Sequence, residues 1–159
     1  MKSIVVYSSQ TGNTQKLAKA IFKKLEGEKQ IYKIEHAPDP SEFDLVCLGF
    51  WLMAGKPDST SQEYLKKVKN QKLFLFATHG ASAASQHAQS AMEFAKSLAP
   101  AANVIGTFNC PGQVSPNILE KARSKPVPPA WLADAPDAVG HPNEEDLKQL
   151  IDKLAQSLS

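Results

Sequence analysis

Apolar runs and amphipathic stretches alternate from one end of the chain to the other. Ser3-Ile4-Val5-Val6-Tyr7 is a short apolar run, the pattern of a strand covered on both faces. Over Thr14–Leu25, Leu17, Ile21 and Leu25 recur every four residues with Ala18 and Phe22 beside them, which predicts a helix that stops before Gly27. Gln30–Glu35 alternates and predicts an edge strand. Asp44–Phe50 is apolar almost throughout and predicts a central one. A short helix is expected around Tyr64, Leu65 and Val68, then a strand over Lys72–Ala77. Ser85–Leu98 returns to helical spacing through Ala88, Ala91, Met92 and Ala95. Asn103–Phe108 reads as a fifth strand. In the last helix Leu147, Leu150, Ile151, Leu154 and Leu158 form one stripe, with Asn143 and Asp146 spaced to cap its start.

Strands that alternate with helices form right-handed crossover units, so the expected fold is α/β: a parallel sheet with helices on both faces. One segment breaks the rhythm. Residues 125–142 hold five prolines (126, 128, 129, 136 and 142) and Trp131, and neither helix nor strand suits them. Such a loop is either a surface wrap or a lid. There is no internal repeat, and residues 1–159 read as one domain.

Composition narrows the class. With 159 residues, 42% of them hydrophobic, the chain is long enough for a proper core. No apolar run approaches the roughly 20 residues of a membrane span, and Ile4-Val5-Val6 is too brief for a signal-peptide core. A soluble, cytoplasmic protein is expected. Cys47 and Cys110 cannot build a disulfide framework or a four-ligand zinc site. The net charge is +2, and Arg123 is the only arginine among 18 basic residues. Nucleic-acid readers favour arginine forks, so no nucleic-acid partner is expected. Residues 1–80 carry 12 Lys against 8 acids, which suits either a mixed solvated surface or a Lys-rich docking face.

The most informative stretch is Ser8-Ser9-Gln10-Thr11-Gly12-Asn13-Thr14, between the first strand and the first helix. Ligands of open α/β sheets bind beyond the carboxyl ends of the strands. A helix start adds unpaired N–H groups and partial positive charge, which suit a phosphate. Four hydroxyls, the amide side chain of Asn13 and Gly12, where the backbone can approach closely, complete a cradle of neutral donors. The same composition also suits a loop that only caps the helix. The loop lacks the Gly-Lys-Ser/Thr of nucleotide triphosphatases, the three-glycine dinucleotide turn, a phosphatase cysteine and a receiver domain's acids. What remains is a terminal phosphate such as that of FMN.

The run Val5-Val6-Tyr7-x-Ser9-x-x-Gly12-x-Thr14-x-x-x-Ala18-x-x-Ile21 resembles the flavodoxin signature at every constrained position, and the order of elements agrees along the whole chain. The resemblance implies a flavodoxin-like three-layer sandwich with five parallel strands in the order 2-1-3-4-5. It implies noncovalent FMN, with Ser9, Thr11, Asn13 and Thr14 as side-chain phosphate ligands and Gln10 and Gly12 giving backbone N–H groups. Ser8 belongs to the same loop. The first ring-flanking loop would follow Gly49, with Phe50, Trp51, Leu52 and Gly55; Trp51 would cover one ring face unless it is a packing residue. The second would hold Thr78, His79, Gly80 and Ala81. It lacks the acids and stacking Tyr common in the family, which leaves that face open or covered from elsewhere, for instance by Trp131. His79 is more often structural than catalytic in such a place. Cys110, beside the expected pyrimidine edge, suits packing better than redox chemistry.

The function this implies is a monomeric electron carrier that shuttles one or two electrons between redox partner proteins, a reductase and an acceptor. The near-neutral charge and the proline-rich segment depart from the standard family pattern. Gly49-Phe50-Trp51 and His141-Pro142-Asn143-Glu144-Glu145-Asp146 resemble a divergent branch, part of which is associated with tetrapyrrole chemistry, including bilirubin reduction. The alternatives are therefore an FMN-dependent reductase, or reductase accessory protein, acting on a quinone or tetrapyrrole, and a binding module without flavin. No catalytic or metal-ligating residue is assigned.

Overall fold

Each of the five apolar runs becomes a strand, and a sixth, two-residue strand is added. The computed structural model describes every residue from Met1 to Ser159. The strands are β1 (Lys2–Tyr7), β2 (Glu28–Lys33), β3 (Leu45–Met53), β4 (Lys56–Pro57), β5 (Lys72–His79) and β6 (Asn103–Pro111). They lie in the order β2-β1-β3-β5-β6, all parallel, with β4 antiparallel on the end of β3. Leaving out β4, this is the expected 2-1-3-4-5 order. The helices are α1 (Asn13–Lys24), α2 (Ser59–Leu65), α3 (Gln86–Ser97), α4 (Pro116–Arg123) and α5 (Glu144–Leu158).

The period of two along β1 divides the core. Ile4 and Val6 face one side, where α2 and α3 supply Tyr64, Leu65, Met92 and Ala95. Val5 and Tyr7 face the other, against Leu17, Ala18 and Ile21 of α1 and Leu150 and Leu154 of α5. All these residues are buried, so the sheet is covered on both faces, as its apolar strands require. No helix is long and apolar enough to cross a membrane.

The boundaries differ where tertiary contacts override the local pattern. β2 ends at Lys33, because Ile34 turns inward within a 3-10 turn, Ile34–His36, and joins the core. β3 runs on to Met53, because the chain doubles back at Ala54-Gly55 and pairs Leu52 with Pro57 and Met53 with Lys56. The first expected ring loop is thus a β-hairpin. The proline-rich segment is not structureless: Ala130–Ala138 winds into a 3-10 helix behind Pro129, with Pro136 inside it. The pattern also missed α4, although Ser115 caps it by accepting the Ile118 N–H and Pro116 occupies its first turn, both ordinary start signals. At α5 the expected capping box is present: Asn143 Oδ1 accepts the Asp146 N–H at 3.0 Å, and Asp146 Oδ2 accepts the Asn143 N–H at 2.8 Å.

Candidate functional site

Beyond the carboxyl ends of β1, β3, β5 and β6 lies a cavity of about 630 Å³, within the range of small-molecule sites. Four loops build it. The loop after β1 contributes Ser9, Gln10 and Thr11, and the first turn of α1 contributes Asn13 and Thr14. Gly12 is the N-cap residue of α1, at φ +89°, where a side chain would be strained. The other four α-helices each have a side-chain cap, from Asp58, Ser85, Ser115 and Asn143. α1 has none. Its first-turn N–H groups have no partner within the helix, and two of the residues that carry them, Asn13 and Thr14, line the cavity.

The hydroxyls of this loop have different partners. Ser9 Oγ accepts the Gly12 N–H at 3.0 Å and fixes the turn. Thr14 is buried, with its Oγ1 2.9 Å from Thr78 Oγ1. Asn13 Nδ2 donates to the Gln113 carbonyl at 3.0 Å, tying the loop to the end of β6. Thr11 and Gln10 are exposed at the cavity. Ser8 is not there: it is buried, and its Oγ donates to Asp58 Oδ2 at 2.9 Å while accepting from Trp51 Nε1 at 3.2 Å. Asp58 also accepts from the Ser61 N–H at 3.3 Å and the Ser61 hydroxyl at 2.9 Å. The chain Ser61–Asp58–Ser8–Trp51 therefore holds the indole by its one polar atom at the cavity wall. Sequence reasoning missed Asp58, although Asp58-Ser-Thr-Ser61 is a helix-start signal.

The hairpin supplies Trp51, Leu52, Met53, Ala54 and Gly55. Ala54 and Gly55 have φ of 52° and 77°, the double positive φ of a type I′ turn. Behind Gly55 stands His87 of α3, with Cε1 3.5 Å from where a Cβ would sit.

Thr78, His79 and Gly80 form the third wall. His79 Nδ1 accepts the Ala81 N–H at 3.2 Å, so Nε2 carries the proton and donates to Asn109 Oδ1 at 2.8 Å. Burial holds its pKa below the ordinary value, and the neighbouring His87 adds to the effect. It is a neutral bracket between β5 and β6. Besides Ser8 and Gly12, three expected residues do not line the cavity. Phe50 points into the core, Ala81 is buried, and Cys110 packs between the sheet and α5, where burial first, then Asp146, pushes its thiol up.

The fourth wall comes from residues 114–131: Lys125, Pro129, Ala130 and Trp131 belong to the proline-rich segment that the sequence singled out, whereas Val114, Ser115, Ile118 and Lys121 carried no signal there. A Cβ on Gly80 would lie 2.7 Å from Val114 and 3.0 Å from the Trp131 ring, so only glycine admits this packing. Asp134 Oδ2 accepts the Ser82 N–H at 3.1 Å, and Gln113 Oε1 accepts the Gly140 N–H at 3.0 Å. The segment is bonded to the loops it covers.

Comparison with known proteins follows the same lines. Residues 4–155 match the family model described as a flavodoxin domain. A flavodoxin-like domain-containing protein BilS of Clostridioides difficile (strain CD3) is 36% identical over 126 residues, covering 76% of this chain and 72% of its own. A protein of the same name from Clostridium symbiosum (strain WAL-14163) is 30% identical over 142 residues, covering 78% and 75%. Among solved structures, oxidised flavodoxin 2 from Bacillus cereus superposes with a TM-score of 0.64 at 16% identity over 99% of this chain and 98% of its own. A flavoprotein in complex with FMN from Lactobacillus acidophilus NCFM gives 0.56 at 17% identity over 68% and 92%. At such identities the structures speak for the fold alone.

Proposed function

The chain belongs to the flavodoxin family, and on that premise we propose that it binds one FMN in the cavity and uses it to transfer electrons between redox partner proteins. The observation that carries this reading is the uncapped start of α1, opening on the cavity between Ser9, Thr11 and Asn13. A phosphate there takes the place of the missing cap, and no Lys or Arg occurs in the loop from Ser8 to Thr14. Bound FMN would supply the one- and two-electron chemistry, the protein binding and tuning it.

Each wall has a matching duty. Thr11 and the first-turn N–H groups of α1 hold the phosphate. Trp51, fixed through its Nε1, flanks one side of the ring. Trp131, seated on Gly80, flanks the other, the face that the small residues of the β5 loop leave uncovered. The hairpin peptide at Ala54-Gly55 and the end of β6 border the ring's polar edge.

The wall of residues 114–131 favours a second reading beside the carrier: an enzyme or enzyme accessory that passes electrons to a small acceptor held within the same cavity. A carrier needs an exposed flavin edge and no such chamber. Both readings share one test. On adding FMN to apoprotein, tryptophan emission should be quenched and the flavin spectrum should shift, and Trp51→Ala should reduce both changes and the affinity. A Trp51→Ala protein with unaltered affinity and spectrum would return Trp51 to a packing role.

A further inference from the structure

We propose that the cavity face of α4 and the 3-10 segment beyond it form a second ligand site, one that takes an apolar organic anion of the carboxylate class. The Gln113 N–H donates to the His141 carbonyl at 2.9 Å, so residues 114–140 leave the fold and return to it at one point, and they add a wall. Ile118, Lys121 and Lys125 are spaced by three and four, so one side of α4 and its continuation sends all three to the cavity. Ile118 is an exposed large apolar residue at the cavity wall. Val114 and Pro129 continue the apolar surface.

The charge is one-sided. No Asp or Glu lines the cavity, so its only fixed charges are the Lys121 and Lys125 ammonium groups. Neither makes an ion pair, whereas Lys66, Lys96 and Lys148 each pair with an acid one turn away on their own helix. Two exposed ammonium groups hold a small inorganic anion weakly. An anion with an apolar body is held by both parts of the site: its body covers Ile118 and Pro129, and its carboxylate meets the lysines at the rim. The wall follows Gln113 in the chain, and the Gln113 carbonyl accepts from Asn13 Nδ2 at 3.0 Å.

The test uses two probes with the same rings and different charge, 2-naphthoate and neutral 2-naphthamide. Each is titrated at low salt into the apoprotein and into protein incubated with FMN, with binding followed by tryptophan emission. Naphthoate should bind about tenfold more tightly than the amide. Lys121→Gln with Lys125→Gln should abolish that preference while leaving amide binding and FMN affinity unchanged. Ile118→Ser should weaken both probes. Equal affinity of the two probes for the wild type would overturn the proposal and mark a site for neutral molecules. So would loss of FMN affinity in the double lysine variant, or competition between naphthoate and FMN, since either assigns the lysines to the flavin phosphate. The apoprotein arm reads the site with no flavin present, so its failure is distinct from failure of the FMN reading.

Discussion

Thr11 and Thr14 carry the same hydroxyl three residues apart, yet the fold uses them differently. Thr11 is exposed at the mouth of the cavity, whereas Thr14 Oγ1 is buried against Thr78. Thr11→Ala should therefore leave stability within about 0.5 kcal/mol and weaken FMN by about 1–3 kcal/mol, since a charged phosphate loses a donor. Thr14→Val strands the Thr78 hydroxyl and should cost about 1–3 kcal/mol of folding stability. Urea unfolding with and without FMN separates the two effects. His79 gives a pH dependence. Its folded pKa lies below the ordinary 6.5, so the unfolded chain takes up the proton first. Its share of stability is complete above about pH 6.5 and is lost as the pH falls from there through its folded pKa. Urea midpoints at about pH 7.5 and 5.5 should differ more for the wild type than for His79→Gln. Equal slopes would show that His79 is not held neutral.

The β3–β4 hairpin places two positive-φ residues at the cavity, and only one of them is glycine. A non-glycine residue in the left-handed region costs about 1–2 kcal/mol, and asparagine tolerates it best. Ala54→Asn should raise stability by about 0.5–1 kcal/mol by thermal or urea unfolding. A loss of stability would mean that the turn is not of this type. The hairpin also shows why elements differ in legibility. The long strands and α1, α3 and α5 repeat their spacing several times, so their pattern is redundant. Ala-Gly is a weak turn signal beside Asn-Gly, and β4 is two residues long, so nothing in the local pattern marks them. The 3-10 helix of residues 130–138 is held by partners remote in sequence, among them Gly80 and the Ser82 N–H, and no periodicity encodes it.

At the scale of the whole molecule, the site exists because a parallel sheet brings four loops together at one end. The place of the loop after β1 at the cavity was legible because a single heptapeptide carries its pattern. The walls were not, because each is a pairing across the chain: Ser8 with Asp58, Trp51 with Ser8, Trp131 with Gly80, Asn13 with Gln113. Ser8, Phe50 and Ala81 each stand beside a lining residue in sequence yet are buried away from the cavity, and Cys110 stops two residues short of Gly112, which lines it. The central claim is that α1 receives the terminal phosphate of a mononucleotide. The most direct measurement is calorimetric titration of the apoprotein with FMN, riboflavin and FAD under one set of conditions. One FMN should bind per chain, at least about a hundredfold more tightly than riboflavin, because several charge-assisted hydrogen bonds go to the phosphate. FAD should bind weakly, since the loop offers no dinucleotide turn. Absence of FMN binding, or equal affinity for all three flavins, would contradict it.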